Sequence, residues 1–137
     1  MPPEKVPASG KRVLIVDDEP DFLCVLKKRL EASHYRVRTA RDGREALEEI
    51  HREKPDVVLL DIQMPEMDGL RVLQRIRRWD KRLPIFILTA YSSEERFRSA
   101  RRWKASGFIV KTGDLTQQLK RIASVLELSD KYRAKRA

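Results

Sequence analysis

Cysteine is nearly absent from this chain: among 137 residues there is one, Cys24. A lone cysteine excludes an intrachain disulfide framework and suits a reducing cytoplasm, which is the expected location. Set among Phe22, Leu23, Val25 and Leu26 in a helical stretch, Cys24 reads as core filler and not as a nucleophile. Long hydrophobic runs are also missing. The longest are strand-length, far short of the ~20 apolar residues of a membrane span, so no membrane partner is expected. The opening "MPPEKVPASGKR" puts proline, glycine and charge where a secretory leader needs an apolar core. Zinc-finger, RNP and P-loop motifs are lacking too.

What the chain does have is charge and short apolar runs. Hydrophobic residues make up 41% and charged residues 37%, which describes a strongly hydrated globular chain, one domain by size. The net charge of +9 favours solubility and attraction to acidic partners. It does not by itself argue nucleic-acid contact by this domain, because a basic surface is more often a solvated one.

Strand and helix patterns alternate strictly. The strands are "RVLIVD", "YRVRTA", "DVVLLD", "PIFILTA" and "GFIVK". Between and after them come "EPDFLCVLKKRLEAS", "DGREALEEIHRE", "LRVLQRIRRW", "SEERFRSARRWKA" and "DLTQQLKRIASVLEL". The first helix repeats Phe22, Leu23, Leu26 and Leu30, and the last Leu115, Leu119, Ile122 and Leu126, as buried stripes would. The fourth is only weakly amphipathic. Parallel strands need crossover helices, so this order predicts an α/β fold: a doubly wound parallel sheet with helices on both faces. Residues 1–11 read as a flexible arm, 12–128 as the domain, and 129–137 as a helix end running into a basic tail or the start of a linker.

One stretch, "VVLLDIQMPEMDGL", poses the chemical question. A buried strand ends on Asp61, and an unpaired buried carboxylate costs several kcal/mol, roughly. Asp61 therefore sits at a mouth facing solvent or is held by a cation. In open parallel sheets ligands bind beyond the carboxyl ends of the strands. There the first strand delivers Asp17 and Asp18, the third Asp61, the fourth Thr89 and the fifth Lys111. Clustered carboxylates must take up protons or share a cation, and an all-oxygen set favours a hard ion such as Mg²⁺. With an anionic phosphoryl group drawn in, Asp61 would be the nucleophile forming an acyl phosphate. Lys111 would act as a point charge on one phosphate oxygen and Thr89 as a donor to another.

Each piece alone has a plainer reading. Asp18 could cap the helix at Pro20, "MDG" is commonly a turn, and Thr89 and Lys111 suit ordinary strand ends. Those readings do not explain why all of them fall on one rim.

"VLIVDDEP", "VVLLDIQMPEMDGL", "ILTAY" and "GFIVK", in this order, resemble the receiver domain of two-component response regulators over about residues 12–128. The resemblance implies a five-stranded sheet in flavodoxin-like order 2-1-3-4-5. It implies that Asp61 accepts phosphate from a sensor histidine kinase or phosphotransfer protein. Asp17 and Asp18 would be the metal-site acids, with the Gln63 backbone carbonyl completing the Mg²⁺ ligands. Lys111 matches the family lysine, Thr89 its switch hydroxyl and Phe108 its switch aromatic. Such a domain is no enzyme beyond its own phosphorylation and dephosphorylation.

One departure stands out. The family usually has proline after the lysine, here Thr112, and a cis bond before threonine costs about 2.5–4 kcal/mol, so the Lys111–Thr112 bond is expected trans. A haloacid-dehalogenase-type phosphatase would need a second acid two residues after the nucleophile, where this chain has Gln63. A pseudo-receiver, an interaction module without the chemistry, would lack part of the set. Output is expected on the fourth helix, fifth strand and fifth helix. There Arg96, Arg98, Arg101, Arg102 and Lys104, interrupted by Phe97 and Trp103, read as a docking surface for an acidic partner or homodimer. The effector is unknown. The opening methionine and arm favour an N-terminal receiver, free-standing or part of a longer regulator, and Gln63 and Tyr91 flank the site where they could hinder water.

Overall fold

The structure, a computed structural model, describes residues 10–64, 68–90, 93–111 and 114–136, the side chains from 130 onward excepted. The N-terminal arm before residue 10, Tyr91 and the Lys111–Thr112 bond lie outside the described residues. Ten elements alternate: β1 (Arg12–Val16), α1 (Pro20–Ala32), β2 (Arg36–Ala40), α2 (Gly43–Arg52), β3 (Val57–Asp61), α3 (Gly69–Trp79), β4 (Ile85–Thr89), α4 (Glu94–Arg102), β5 (Gly107–Val110) and α5 (Leu115–Arg136). The strands form one parallel sheet ordered β2-β1-β3-β4-β5, as expected.

Alternating strand residues feed two cores. Leu14, Val16, Val58, Leu60, Ile85 and Ile87 face one side, against Ala46 and Ile50 of α2, Val72, Leu73 and Ile76 of α3, and Ala100 of α4. Val13, Ile15, Val57, Leu59, Leu88 and Ile109 face the other, against Leu23, Leu26 and Leu30 of α1 and Leu119, Ile122 and Leu126 of α5. All of β3 is buried, the environment that makes its run continuously apolar.

Caps set the helix starts. Asp42, Asp68 and Ser93 accept backbone N–H bonds from Glu45, Leu70 and Arg96. The Glu45 carboxylate reaches back past the cap to accept the Arg41 N–H, a second bond that fixes the start of α2. At α1 the N-cap position is Glu19, with no side-chain cap bond, and Pro20 occupies the first turn. Asp18 therefore does not cap that helix, and its carboxylate is free for the rim.

Three further expectations need correcting. Cys24 is exposed: the buried stripe of α1 is Leu23, Leu26 and Leu30, and Cys24 lies about 100° around the helix from Leu23. Leu115 is 39% exposed, so the stripe of α5 begins at Leu119. And α5 runs through the segment read as a tail, to Arg136.

Candidate functional site

The carboxyl ends of β1, β3 and β4 and the residue following β5 meet at one rim. Asp17 follows β1 and is fully buried, while its neighbour Asp18 is exposed. Asp61 closes β3 and is 5% exposed. One carboxylate oxygen from each of the three lies within 4.8 Å of the others. The Lys111 ammonium, just beyond β5, donates to Asp17 Oδ2 at 2.7 Å and Glu19 Oε1 at 2.9 Å, and stands 3.8 Å from Asp61 Oδ2. It also lies 4.5 Å from the centre of the Phe22 ring. Thr89 ends β4, fully buried, and its carbonyl accepts the Lys111 N–H.

Backbone groups orient the acids. Asp17 Oδ1 accepts the Glu19 N–H at 3.0 Å and Asp61 Oδ1 accepts the Gln63 N–H at 2.8 Å, so each carboxylate closes a small loop on its own chain. Each then keeps an oxygen for the rim. Behind Asp61, the turn into α3 is tight. A Cβ on Gly69 would lie 2.3 Å from the Asp61 carbonyl oxygen and 2.6 Å from Ile62 Cα, so only glycine fits.

The electrostatics follow from burial and crowding. Burial pushes the Asp61 carboxyl up to about 6; the Gln63 N–H and Lys111 hold it down, while Asp17 and Asp18 add to the rise. Burial likewise raises Asp17 above the ordinary range despite its bond to Lys111. For Lys111 burial pulls downward, but the bonds to Asp17 and Glu19 outweigh it and the ammonium is held more firmly than usual. A second cation at this rim would relieve both acids. The donor set is all oxygen, which suits Mg²⁺ and not a thiolate- or imidazole-seeking metal.

Gln63 and Phe108 stand at the margins. Gln63 is exposed beside Asp61. Phe108, on β5, is half-buried and meets the Phe97 ring edge to face, with centroids 4.8 Å apart. Phe97 is thereby turned inward, and Trp103 packs on the core, so neither is the exposed anchor the sequence suggested. Arg96 also leaves the docking surface. Its Nη2 donates to the Ile62 carbonyl at 2.7 Å and to both Asp68 oxygens at 3.0 Å, tying the start of α4 to the loop after Asp61. Arg98, Arg101, Arg102 and Lys104 remain exposed.

The roles of two residues escaped the sequence reading. Glu19 stood in "VLIVDDEP" without a role, yet it is the second acid on Lys111; a third consecutive acid at a ligand-bearing rim was the available signal. Arg96 had none, being one arginine among several.

The comparisons with known proteins agree with this geometry. Residues 13–123 match the family described as response regulator receiver domain. The alkaline phosphatase synthesis transcriptional regulatory protein PhoP of Bacillus subtilis is 43% identical over 85 residues, covering 62% of this chain and 35% of its own length. The transcriptional regulatory protein PrrA of Mycobacterium tuberculosis is 36% identical over 86% of this chain and 51% of its own. The chain thus spans about a third to a half of the curated relatives it matches. Among solved structures, a receiver domain protein from Methanospirillum hungatei has TM-score 0.79 at 30% identity, covering 90% of this chain and 99% of that one. The response regulator TrrA of Thermotoga maritima, in complex with Mg²⁺ and BeF, has TM-score 0.71 at 37% identity, covering 83% and 97%.

Proposed function

Because the chain belongs to the response regulator receiver family of two-component systems, we propose that Asp61 is its phosphoacceptor, taking a phosphoryl group from a sensor histidine kinase or phosphotransfer protein. The observation that carries this is the convergence of Asp17, Asp18 and Asp61 within 4.8 Å beside the Lys111 ammonium. Asp17, Asp18 and Asp61, with the Gln63 carbonyl, would hold Mg²⁺, which when bound neutralises charge on the phosphoryl oxygens.

The chain's own residues do the rest. With a carboxyl raised only to about 6, Asp61 is mostly ionised at neutral pH and can act as nucleophile. Its free oxygen forms the O–P bond as the donor's N–P bond breaks and the donor imidazole takes up a proton. The Gln63 N–H, bonded to the other oxygen, fixes the carboxylate's orientation. Lys111, shared between Asp17 and Glu19, need move little to meet a phosphoryl oxygen. The Thr89 hydroxyl donates to another.

The signal is read on α4, β5 and α5. Drawing Thr89 towards the phosphoryl group opens space into which Phe108 turns, a two-state packing change biased by charge. Since Phe97 rests edge-on against Phe108, that turn also displaces α4. The exposed Arg98, Arg101, Arg102 and Lys104 then meet an acidic effector or a second copy of the chain.

Acetyl phosphate with Mg²⁺ tests the assignment. One hydroxylamine-sensitive phosphate per chain is expected, and none on Asp61→Ala. Labelling of Asp61→Ala at the original rate would overturn it. For the output face, beryllofluoride should shift backbone amides across 93–110, and shifts confined to the immediate pocket would refute the switch.

A further inference from the structure

The charges of α2 and α3, neighbours on one face of the sheet, are managed in opposite ways. Both arginines of α2, and Arg38 on the strand before it, have an acid. Arg38 pairs with Glu49 and Glu53, Arg44 with Glu48, and Arg52 with Glu49; nearby, Lys54 pairs with Asp80. Helix α3, "GLRVLQRIRRW", contains four arginines and no acid. One of them, Arg77, turns inward, and its guanidinium donates to the Lys104 and Asp80 carbonyls. The other three, Arg71, Arg75 and Arg78, are exposed, and their side chains have no hydrogen bond or ion pair among the described residues.

Their spacing makes them a unit. Residues four and three apart share a helix face, so Arg71, Arg75 and Arg78 form a stripe about 10 Å long. Three like charges at this spacing repel one another, an arrangement that an anion relieves and water only screens. Beside the stripe lies a cleft of about 330 Å³ between α2 and α3, lined by Leu47, His51, Arg75, Arg78 and Trp79. Its walls are rings: His51 and Trp79 stand 5.1 Å apart, tilted by 31°, and Trp79 is 47% exposed. The half-buried Leu47 supplies the remaining apolar surface.

We propose that this α2–α3 face docks an acidic segment of a partner protein, carboxylates on the arginine stripe and one aliphatic side chain in the cleft, against Leu47 and the paired His51 and Trp79 rings. The charge complementarity is one-sided, because the acids that could neutralise the stripe from within are already engaged on α2. The pairing of charge with an apolar cleft fits a protein segment, which carries carboxylates and an aliphatic side chain on one stretch of chain, whereas a nucleic-acid strand brings charge without an aliphatic side chain for the cleft. The site lies on helices that do not carry Asp61, so it stands whether or not Asp61 is phosphorylated.

The test uses the full chain, isotopically labelled, titrated with a synthetic peptide built on the repeat Glu-Glu-Leu-Glu. Polyglutamate and oligodeoxythymidine are the comparison ligands. Saturable shifts are expected at the His51 ring, the Trp79 indole N–H and the α3 amides, weakening with salt. Binding should be about tenfold weaker for polyglutamate and for the chain carrying Arg71→Gln, Arg75→Gln and Arg78→Gln. These are surface changes; should the triple variant nonetheless unfold, Trp79→Ala alone must reproduce the loss of leucine preference. The proposal fails if shifts spread over the whole basic surface or settle on α4. It fails equally if polyglutamate binds as tightly as the leucine peptide, if the nucleic acid binds this face more tightly, or if no saturable shift occurs.

Discussion

Asp61→Asn replaces the proposed acceptor by a group of the same shape that cannot ionise, and its effect on stability can be worked out in advance. In the folded chain the Asp61 carboxyl is raised from the ordinary 3.8 to about 6, first because it is buried. Between those values the unfolded chain binds fewer protons than the folded one, so stability falls as pH rises. The cost is absent below about pH 3.8 and complete above about pH 6. Its ceiling is roughly 3 kcal/mol, at 1.36 kcal/mol per pH unit of displacement. Asparagine retains the Oδ1 that accepts the Gln63 N–H, so that bond survives while the repulsion from Asp17 and Asp18 ends. In urea melts with chelator present, Asp61→Asn should be more stable than the parent at pH 7, with a midpoint higher by on the order of 1 M. At pH 4 the two should nearly coincide. Adding Mg²⁺ should stabilise the parent by binding to its folded state and close the gap at pH 7. An asparagine variant less stable than the parent at pH 7, or equally favoured at pH 4 and pH 7, would refute the argument that crowded carboxylates destabilise this rim.

Other perturbations test separate contacts. Asp18→Asn should weaken Mg²⁺ binding, measured by titration calorimetry, without destabilising the metal-free fold, because Asp18 caps nothing and adds to the rise on Asp61. Gly69→Ala forces a Cβ into the backbone at Asp61 and Ile62, and should cost about 3 kcal/mol or more in urea melts. Arg96→Ala removes the tie from α4 to Ile62 and Asp68. It should cost roughly 1–2 kcal/mol and speed hydrogen exchange in α4 while sparing the sheet.

Most of the fold was legible because its signals are local. Continuous apolar runs such as "VVLL" mark strands covered on both faces, and the observed strands lie within the quoted runs. The rim was legible for a related reason: in a parallel sheet every carboxyl end faces the same way, so residues at strand ends must converge. Helix ends were less so. Nothing after Leu126 breaks a helix, since "SDKYRAKRA" has neither glycine nor proline, and its alanine, lysine and arginine favour continuation. Composition had suggested a tail where propensity supported a helix.

Side-chain direction and partner choice resisted reading, and α4 shows why. Its abundant charge suggested a docking surface anchored by Phe97 and Trp103, yet Phe97, Ala100 and Trp103 recur every third residue, the spacing of an inward face. Ala100 is the only fully buried residue of that helix, so apolar packing alone holds it weakly. Polar ties at both ends supply the rest. Arg96 binds the start of α4 to the loop after Asp61, and Arg77 of α3 binds the Lys104 carbonyl beyond its end. Neither tie is written in the sequence, because an arginine's reach spans several candidate acceptors and tertiary placement decides among them. The same indeterminacy separates α2 from α3: both are rich in arginine, but only the structure shows that the acids of α2 are already taken. A helix held by few apolar contacts, and anchored to the peptide beside Asp61, is the element that a charge event at this proposed acceptor would most easily move.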